Sequence, residues 1–401
     1  MANVSSSNGL EKYPKLRFKG FSEPWKSVRI GEVYAERSER GAEDMELLSV
    51  TMNDGVKMRS DIEGKDNSSE DKSNYKIVRA GDMVYNSMRM WQGANGISPW
   101  DGIVSPAYTV LKPRIPLSNG FFAALFKTHR LINEFRKNSQ GMTSDTWNLK
   151  YPQIETIKAC IPALDEQEKI AEFLMALDQR IEKQRTLVEH LKKYKRGVIR
   201  EFLTPETCPI KNAIWHETSI GELGNFIKGA PLSKADISDT GTPFILYGEL
   251  YTTYGEVIHN IMRKTQQNVD NIYLSRVGDV LIPTSGETPE EISTASCIMA
   301  SGVILAGDLN IFRTTKVDGR IMSYILNHIV NGNIARIAQG KSVVHIQACE
   351  IAKIRINYPD EITQRQLSAI FDGISNRINL AEEALAQMTN LKKSLMQKLF
   401  I

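Results

Sequence analysis

The sequence predicts an α+β fold: two β-rich α/β domains separated by a pair of long antiparallel coiled-coil helices, with an internal pseudo-twofold repeat. An apolar heptad stripe over residues 165–203 returns almost unchanged 197 positions later, at the C-terminus. The domains in front of the two stripes also begin alike, at residues 25–33 and 215–223. Gly-Asp pairs followed by alternating apolar residues predict matching turns and strands in both domains. The chain is therefore expected to hold two copies of one domain-and-helix unit.

The two stripes have the pattern of helices that pack along each other over about five heptads. Gln184 and Lys195 are polar exceptions in the first stripe, and Lys392 occupies the place of Lys195 in the second. Each helix should be about 55–60 Å long at ~1.5 Å per residue. The residues predicted to pair the helices are Leu174, Leu177, Ile181, Val188, Leu191, Val198, Phe371, Ile374, Ile378, Leu385, Met388 and Leu395.

The remaining elements follow from local patterns. Residues 43–74 are predicted to form one strand and a long surface loop, because a short apolar run is followed by polar residues. Residues 121–136 and 321–337 are each predicted to form one helix. The predicted segments are a first domain at 13–162, a central long helix at 163–204, a second domain at 205–360 and a C-terminal long helix at 361–401.

Composition narrows the function classes. With 401 residues and 41% hydrophobic residues, the chain is long enough to form more than one hydrophobic core. A net charge of only +3 argues against non-specific coating of nucleic acid, so any DNA binding must come from local basic surfaces. The N-terminus is polar and no apolar run is long enough to span a membrane. We therefore expect a soluble cytoplasmic protein that does not contact membranes.

Motifs for chemistry are missing from the sequence. The four cysteines and six histidines have neither disulfide nor metal-ligand spacing. Lys341 and Ser342 follow Gly340 as in a phosphate-binding loop, but Ala335 stands where that loop requires glycine. No nucleophile elbow, dinucleotide fingerprint or adenine-methyltransferase motif appears. The sequence therefore predicts no catalytic residue, no metal site and no cofactor bound by this chain.

Binding residues are predicted where the two halves diverge, directly after a shared strand. Arg89, Trp91 and Gln92 lie in such a segment, and arginine and glutamine can read guanine and adenine through paired hydrogen bonds. The alternative is a solvated loop that Trp91 pins to its domain. Candidate phosphate contacts, which position a protein without specifying sequence, are Lys57, Arg59, Lys341 and Ser342.

The order of these features resembles the specificity subunit of type I restriction-modification systems. The resemblance rests on the opening at residues 14–25, the Arg-x-Gly-Asp strands that contain Asp82 and Asp279, and the helix start around Glu166 and Gln167. The second helix start has Thr363 before Gln364 and so lacks the acidic residue. Taken together, the features cover residues 13–401.

This resemblance implies a function. The two domains would be target-recognition domains, each reading one half of a bipartite sequence in double-stranded DNA. The helices would set the spacing of the half-sites, and two methyltransferase subunits would dock on the chain and recruit restriction subunits. S-adenosylmethionine, ATP and Mg would be bound by those partners, so the chain itself would not be an enzyme.

Two other classes compete with this interpretation. One is a coiled-coil scaffold protein that does not bind DNA and whose helices dimerise between chains. Against it, both apolar stripes lie in one chain and can cover each other. The other is an enzyme with an unfamiliar active site, which activity of the isolated chain would support.

Overall fold

The computed structural model describes residues 13–41, 44–52, 54–66, 68–340 and 343–401. The chain divides into two compact units. The first unit contains the chain up to Arg185 together with Glu383–Ile401, and the second contains Thr186–Glu382. Both long helices therefore contribute residues to both units. The segment boundaries given above from sequence stay a prediction.

In the part of the first unit that the structure describes, short strands and four short helices accompany the segments of the long helices. Its strands are β1 (Lys26–Arg29), β2 (Tyr34–Glu36), β3 (Leu48–Thr51), β4 (Gly55–Met58), β5 (Lys76–Val78), β6 (Met83–Asn86), β7 (Asn95–Ile97), β8 (Gly102–Val104), β9 (Tyr108–Pro113) and β10 (Lys158–Ile161). Its short helices are α1 (Ile30–Val33), α2 (Asn119–Leu125), α3 (His129–Asn138) and α4 (Tyr151–Ile154).

The largest sheet of the first unit has the antiparallel order β2-β9-β6-β7, while β1 pairs with β10, β3 with β4, and β5 with β8. Aromatic side chains fill the core beside this sheet. The Trp25 ring meets those of Phe121 and Phe400 edge-on, at centroid distances of 5.7 and 6.4 Å. Since Phe400 lies next to the C-terminus, the end of the chain is part of this core.

The second unit contains the strands β11 (Trp215–Ser219), β12 (Gly224–Lys228), β13 (Thr242–Leu246), β14 (Val257–Ile258), β15 (Arg263–Thr265), β16 (Val280–Pro283), β17 (Ser285–Gly286), β18 (Ser296–Ile298), β19 (Ile304–Ala306), β20 (Leu309–Thr314), β21 (Val344–His345) and β22 (Arg355–Pro359). The long helices are α5 (Leu164–Phe202) and α11 (Glu361–Leu399). The short helices between them are α6 (Glu249–Thr252), α7 (Pro289–Ile292), α8 (Gly319–His328), α9 (Asn331–Ile337) and α10 (Ala348–Ala352).

The repeat is visible in the order of the strands. The main sheet of the second unit runs β12-β20-β16-β18-β14, and its first four strands correspond in order to β2-β9-β6-β7. The outer pair β11–β22 corresponds to β1–β10, with the same antiparallel register between the first and last strands of the domain. A three-stranded sheet, β15-β13-β19, accompanies the second copy. The α+β fold class is therefore confirmed.

Both long helices begin with the same side-chain hydrogen bonds. The Gln167 amide accepts a bond from the Ser118 amide N–H at 3.1 Å and donates one to the Pro162 carbonyl at 2.9 Å. Gln364 repeats both bonds with Asp318 and Pro359, each at 2.7 Å. Ser118 and Asp318 cap α2 and α8, so each glutamine fastens a long helix to the helix cap of its own domain.

The two long helices have 39 residues each, and their described bounds differ by the offset of the sequence repeat. All twelve residues predicted to pair the helices are buried or half-buried. Within the first unit, Lys392 forms an ion pair with Asp178. Within the second, the Lys192 ammonium lies 2.8 Å from the Glu382 carboxylate. Also within the second unit, the Phe202 ring lies 6.4 Å from that of Phe371. Higher numbers on one helix therefore meet lower numbers on the other, so the pairing inside the second unit is antiparallel.

Lys195 lies in the apolar stripe, but its ammonium group forms an ion pair with a residue of the second domain. Its ammonium lies 2.9 Å from one oxygen of the Glu256 carboxylate and 5.4 Å from the centre of the Tyr324 ring. The other oxygen of Glu256 is 2.9 Å from Nε2 of His328. Burial raises the pKa of Glu256, but the bond from His328 and the charge of Lys195 outweigh it and lower that pKa to about 2.

Three local predictions are wrong. Residues 121–136 form α2 and α3, because the Thr128 hydroxyl accepts a bond from the Leu131 N–H and starts a new helix. Residues 321–337 likewise form two helices, α8 and α9. Residues 43–74 contain the hairpin β3–β4 instead of one strand, and Gly55, with φ of 70°, supplies the left-handed conformation at its turn.

Candidate nucleic-acid interface

Two loops of the first unit meet along their backbones. The β6–β7 loop (residues 87–94) and the α3–α4 loop (residues 139–150) are joined where the Leu149 N–H donates to the Ser87 carbonyl at 2.8 Å. Gln140 and Asn148 close the α3–α4 loop by exchanging backbone hydrogen bonds of 2.9 and 2.8 Å. Two segments far apart in sequence thus form one surface.

The second unit repeats this backbone arrangement. After β16, the Thr284 carbonyl accepts a bond from the Ile346 N–H at 3.0 Å, in the α9–α10 loop (residues 338–347). Gln339 and His345 close that loop with backbone bonds of 3.0 and 2.8 Å. The side chains differ between the two copies although the backbone bonds correspond. Each unit therefore presents different chemistry on a common frame.

A buried aspartate supports the strand that leads into each surface. The Asp82 carboxylate accepts bonds from the Arg79 N–H at 2.9 Å and from Arg37 Nε at 2.7 Å. Asp279 accepts bonds from the Arg276 N–H at 2.9 Å and from Arg313 Nε at 3.2 Å. The Arg-x-Gly-Asp motif is thus a turn whose carboxylate holds the frame together, with an arginine from elsewhere in the domain.

Arg89 and Gln92 lie on the β6–β7 loop, and their side chains form few contacts within the protein. The Arg89 side chain is exposed, and its guanidinium forms no hydrogen bond or ion pair within the described residues. Gln92 is half-buried and ends a short 3-10 turn (Met90–Gln92), after which Gly93 has a φ of 87°. Arg89 can therefore offer all of its side-chain donors to a ligand.

Trp91, between them, holds the two loops together. Its indole N–H donates to the Met88 carbonyl at 3.0 Å. The Trp91 and Trp147 rings meet edge-on at 5.2 Å, and the Arg136 guanidinium lies 5.4 Å from the Trp91 ring centre. These contacts fit the pinning role that was the alternative for this residue. Direct contact of Trp91 with DNA stays a prediction.

The candidate phosphate contacts of the first unit have internal partners. Lys57, on β4, forms an ion pair of 3.0 Å with Asp54. Arg59 donates bonds of 2.8, 3.1 and 2.7 Å to three carbonyls of residues 62–65, and lies 3.5 Å from Asp66. Arg59 thereby organises its own loop. A role of either residue at DNA stays a prediction.

Lys341 and Ser342, the other candidate contacts, lie outside the described residues. Among the residues that the structure does describe, no group of His, Cys, Asp and Glu side chains is arranged to hold a metal ion. Nor does any helix in those ranges have the length and apolar character needed to cross a membrane.

Comparison with known proteins shows what this chain is similar to. Residues 22–191 match the family model described as the type I restriction modification DNA specificity domain. The chain resembles type I restriction-modification specificity subunits. Two such relatives come from Methanocaldococcus jannaschii. The type I restriction enzyme MjaVIII specificity subunit is 21% identical over 357 residues, which are 80% of this chain and 79% of the relative. The putative MjaX specificity subunit is 22% identical over 362 residues, which are 84% of this chain and 81% of the relative.

Solved structures share the fold of this chain. The type I restriction-modification S subunit from M. genitalium has a TM-score of 0.58 at 16% identity, over 97% of this chain and 99% of that one. A chain from a study of complex assembly and conformational transition of the type I R-M system has the same TM-score of 0.58, at 18% identity, over 94% of this chain and 97% of that one. At such identities the likeness establishes fold and nothing more.

The sequence pattern of this chain did not reveal the role of the α3–α4 loop. Trp147 and Arg136 both contact Trp91 but lie far from it in sequence. One signal was present, because Gln140-Gly141 and Gln339-Gly340 follow corresponding helices. That repeat marked a shared loop, although no sequence pattern placed it beside residues 87–94.

Proposed function

We propose that this chain is the non-catalytic, sequence-specific DNA-binding subunit of a type I restriction-modification complex. Each target-recognition domain would read one half of a bipartite target in double-stranded DNA, in the cytoplasm. The observation that carries the proposal is the pair of corresponding loop surfaces with different side chains, in a chain whose curated relatives are specificity subunits. Two different surfaces on one frame suit two different half-sites.

The chemistry of the first surface suits base reading. Arg89 has an exposed guanidinium without a partner in the described chain, and an arginine can bind guanine through two hydrogen bonds. Gln92, three residues later, carries the amide that suits adenine. Trp91 and its contacts fix the loop that carries both, which reduces the entropy cost of binding.

The long helices would have two further roles, setting the spacing of the half-sites and docking two methyltransferase subunits. Restriction subunits would join through those partners, which would also bind S-adenosylmethionine, ATP and Mg. Exposed apolar side chains on the helices support docking, since apolar side chains at a surface favour burial by a partner. They include Met175 and Leu391 in the first unit and Tyr194 and Leu380 in the second.

The purified chain is expected neither to methylate nor to cleave DNA, because no catalytic constellation is predicted in it. Adding methyltransferase subunits and S-adenosylmethionine should give adenine methylation at one bipartite sequence, measured by mapping modified bases on plasmid DNA. Methyltransferase subunits without this chain serve as the control and should not modify that sequence. Methylation by the isolated chain would contradict the proposal. So would a chain that self-associates and does not change which sequences the methyltransferase subunits modify.

Replacing Arg89 or Gln92 with alanine is expected to alter recognition of one half-site and leave the other unchanged. Each paired hydrogen bond to a base contributes about 1–3 kcal/mol of discrimination, so the altered position should become degenerate in the methylated motif. Arg79→Ala is a matched control, because Arg79 is also exposed but forms an ion pair of 3.0 Å with Asp101. If both half-sites change together, or neither changes, this loop does not read bases.

A further inference from the structure

The α3–α4 loop presents one bare apolar side chain at its tip. Met142 is 99% exposed, more than any other large hydrophobic side chain in the described residues. An exposed methionine on a mobile surface loop would need no explanation, since single apolar residues are common at protein surfaces. The construction of this loop, however, restricts where the Met142 backbone can go.

Several contacts hold the loop in one shape. Gly141 adopts φ of 147°, and a Cβ atom there would lie 2.6 Å from the Thr146 carbonyl oxygen, so no side chain fits. The Thr146 hydroxyl donates to the Thr143 carbonyl at 2.9 Å and accepts a bond from the Thr143 N–H at 3.1 Å. Next to it, Trp147 packs on Trp91. Met142 thus projects from a braced loop.

The surroundings of the tip favour nucleic acid over protein as its partner. Arg89, Arg136 and Lys150 are exposed on the two loops and the end of α3. Within the α3–α4 loop, Asp145 is the acidic residue, and the other side chains near the tip are hydroxyls such as those of Thr143 and Ser144. Cations and hydroxyls bind phosphate, and apolar side chains contact thymine methyls or enter between base pairs.

We infer that Met142 is a specificity-determining residue that packs against the bases of the half-site read by the first domain. This inference rests on the proposed DNA-binding function and adds the α3–α4 loop to the reading surface. Arg89 and Gln92 supply hydrogen bonds on the β6–β7 loop, and Met142 supplies an apolar contact on the adjoining loop. Trp91 and Trp147 keep the two loops in register.

The test uses the complex reconstituted with methyltransferase subunits and a duplex that carries its mapped target. Met142→Ala is expected to weaken binding of this duplex roughly ten- to 100-fold, because alanine is too short to bury apolar surface against the bases. Since every phosphate-binding group stays in place, the slope of log affinity against log salt should not change. Met142→Leu should retain most of the affinity, and Met262→Ala, at a methionine of the second unit that is 72% exposed, is a control that should leave recognition of the first half-site unchanged.

The outcomes separate this inference from the proposed function. Three results would overturn the role of Met142. The first is unchanged affinity of Met142→Ala, and the second is an equal loss of affinity on duplexes with either half-site scrambled. The third is a loss of methyltransferase assembly in size-exclusion chromatography. A wild-type complex without preference for any bipartite duplex would overturn the proposed function itself. A loss confined to the half-site that Arg89→Ala also affects supports the inference.

Discussion

Inserting one heptad into each long helix, after Val188 and after Leu385, is expected to lengthen the unspecified gap of the DNA target while both half-sites stay the same. The two insertion points occupy the same heptad position in the repeat. Seven residues add about 10.5 Å of helix at ~1.5 Å per residue, close to three base pairs at ~3.4 Å each. Whole heptads keep the apolar stripe on one face, which other lengths would rotate away.

This variant also turns the second half-site around the DNA axis. Three base pairs correspond to about 100° at roughly 10.5 pairs per turn, so activity is expected to fall as the DNA or the complex adapts. Mapping methylated adenines made by the reconstituted variant gives the new gap. Two-residue insertions at the same two points are the control and should abolish activity, because at about 100° per residue they turn the apolar face of each helix away from its partner. An active heptad variant with the original gap would show that the helices do not set the spacing.

The long helices were the most predictable part of the fold. A seven-residue period sustained over five heptads depends on a helix packing along its whole length, so no distant residue can override it. The predictions for the shorter helices failed for the opposite reason. Thr128 starts α3 because its hydroxyl accepts one hydrogen bond from the Leu131 N–H. The spacing of apolar residues does not reveal such a cap.

The candidate site was predictable only in part. Divergence after a shared strand made Arg89 and Gln92 candidates, since different side chains on a repeated frame indicate different ligands. The other half of the surface, with Trp147 and Met142, comes from a loop about 50 residues further along the chain. The backbone bond between Leu149 and Ser87 and the contact between the Trp91 and Trp147 rings bring the two loops together, and no pattern in the sequence indicates that pairing.

The partners of the polar residues in the helix stripes could not be predicted from the sequence either. Lys195 and Lys392 stand at the same heptad position, and their partners differ in kind. Lys392 pairs with Asp178 on the neighbouring helix, and the Asp178 side chain is 53% exposed. Lys195 leaves the stripe for Glu256 of the second domain, where the two side chains are only 13% and 22% exposed. We therefore expect the ion pairs of Lys195 and Lys392 to contribute unequally to the free energy of unfolding.

Lys195→Met is expected to destabilise the chain by about 1.5–3 kcal/mol, because it leaves the half-buried Glu256 charge without its lysine and with His328 as its remaining partner. Lys392→Met is the matched control and should cost at most about 1 kcal/mol, the usual size for an exposed ion pair. Urea denaturation followed by circular dichroism measures both. Adding Glu256→Gln to Lys195→Met should recover part of the loss, since the charge that has lost its lysine is then removed.

The pH dependence gives a second readout of the same interaction. The pKa of Glu256 is lowered from 4.5 to about 2 in the folded chain, so its stabilising effect is present above pH 4.5 and lost as the pH falls toward about 2. The difference in unfolding free energy between wild type and Lys195→Met should therefore shrink across this range, while Glu256→Gln should remove that part of the pH dependence. Equal losses for Lys195→Met and Lys392→Met at pH 7 would show that the Glu256 contact does not fasten the domain to the helix.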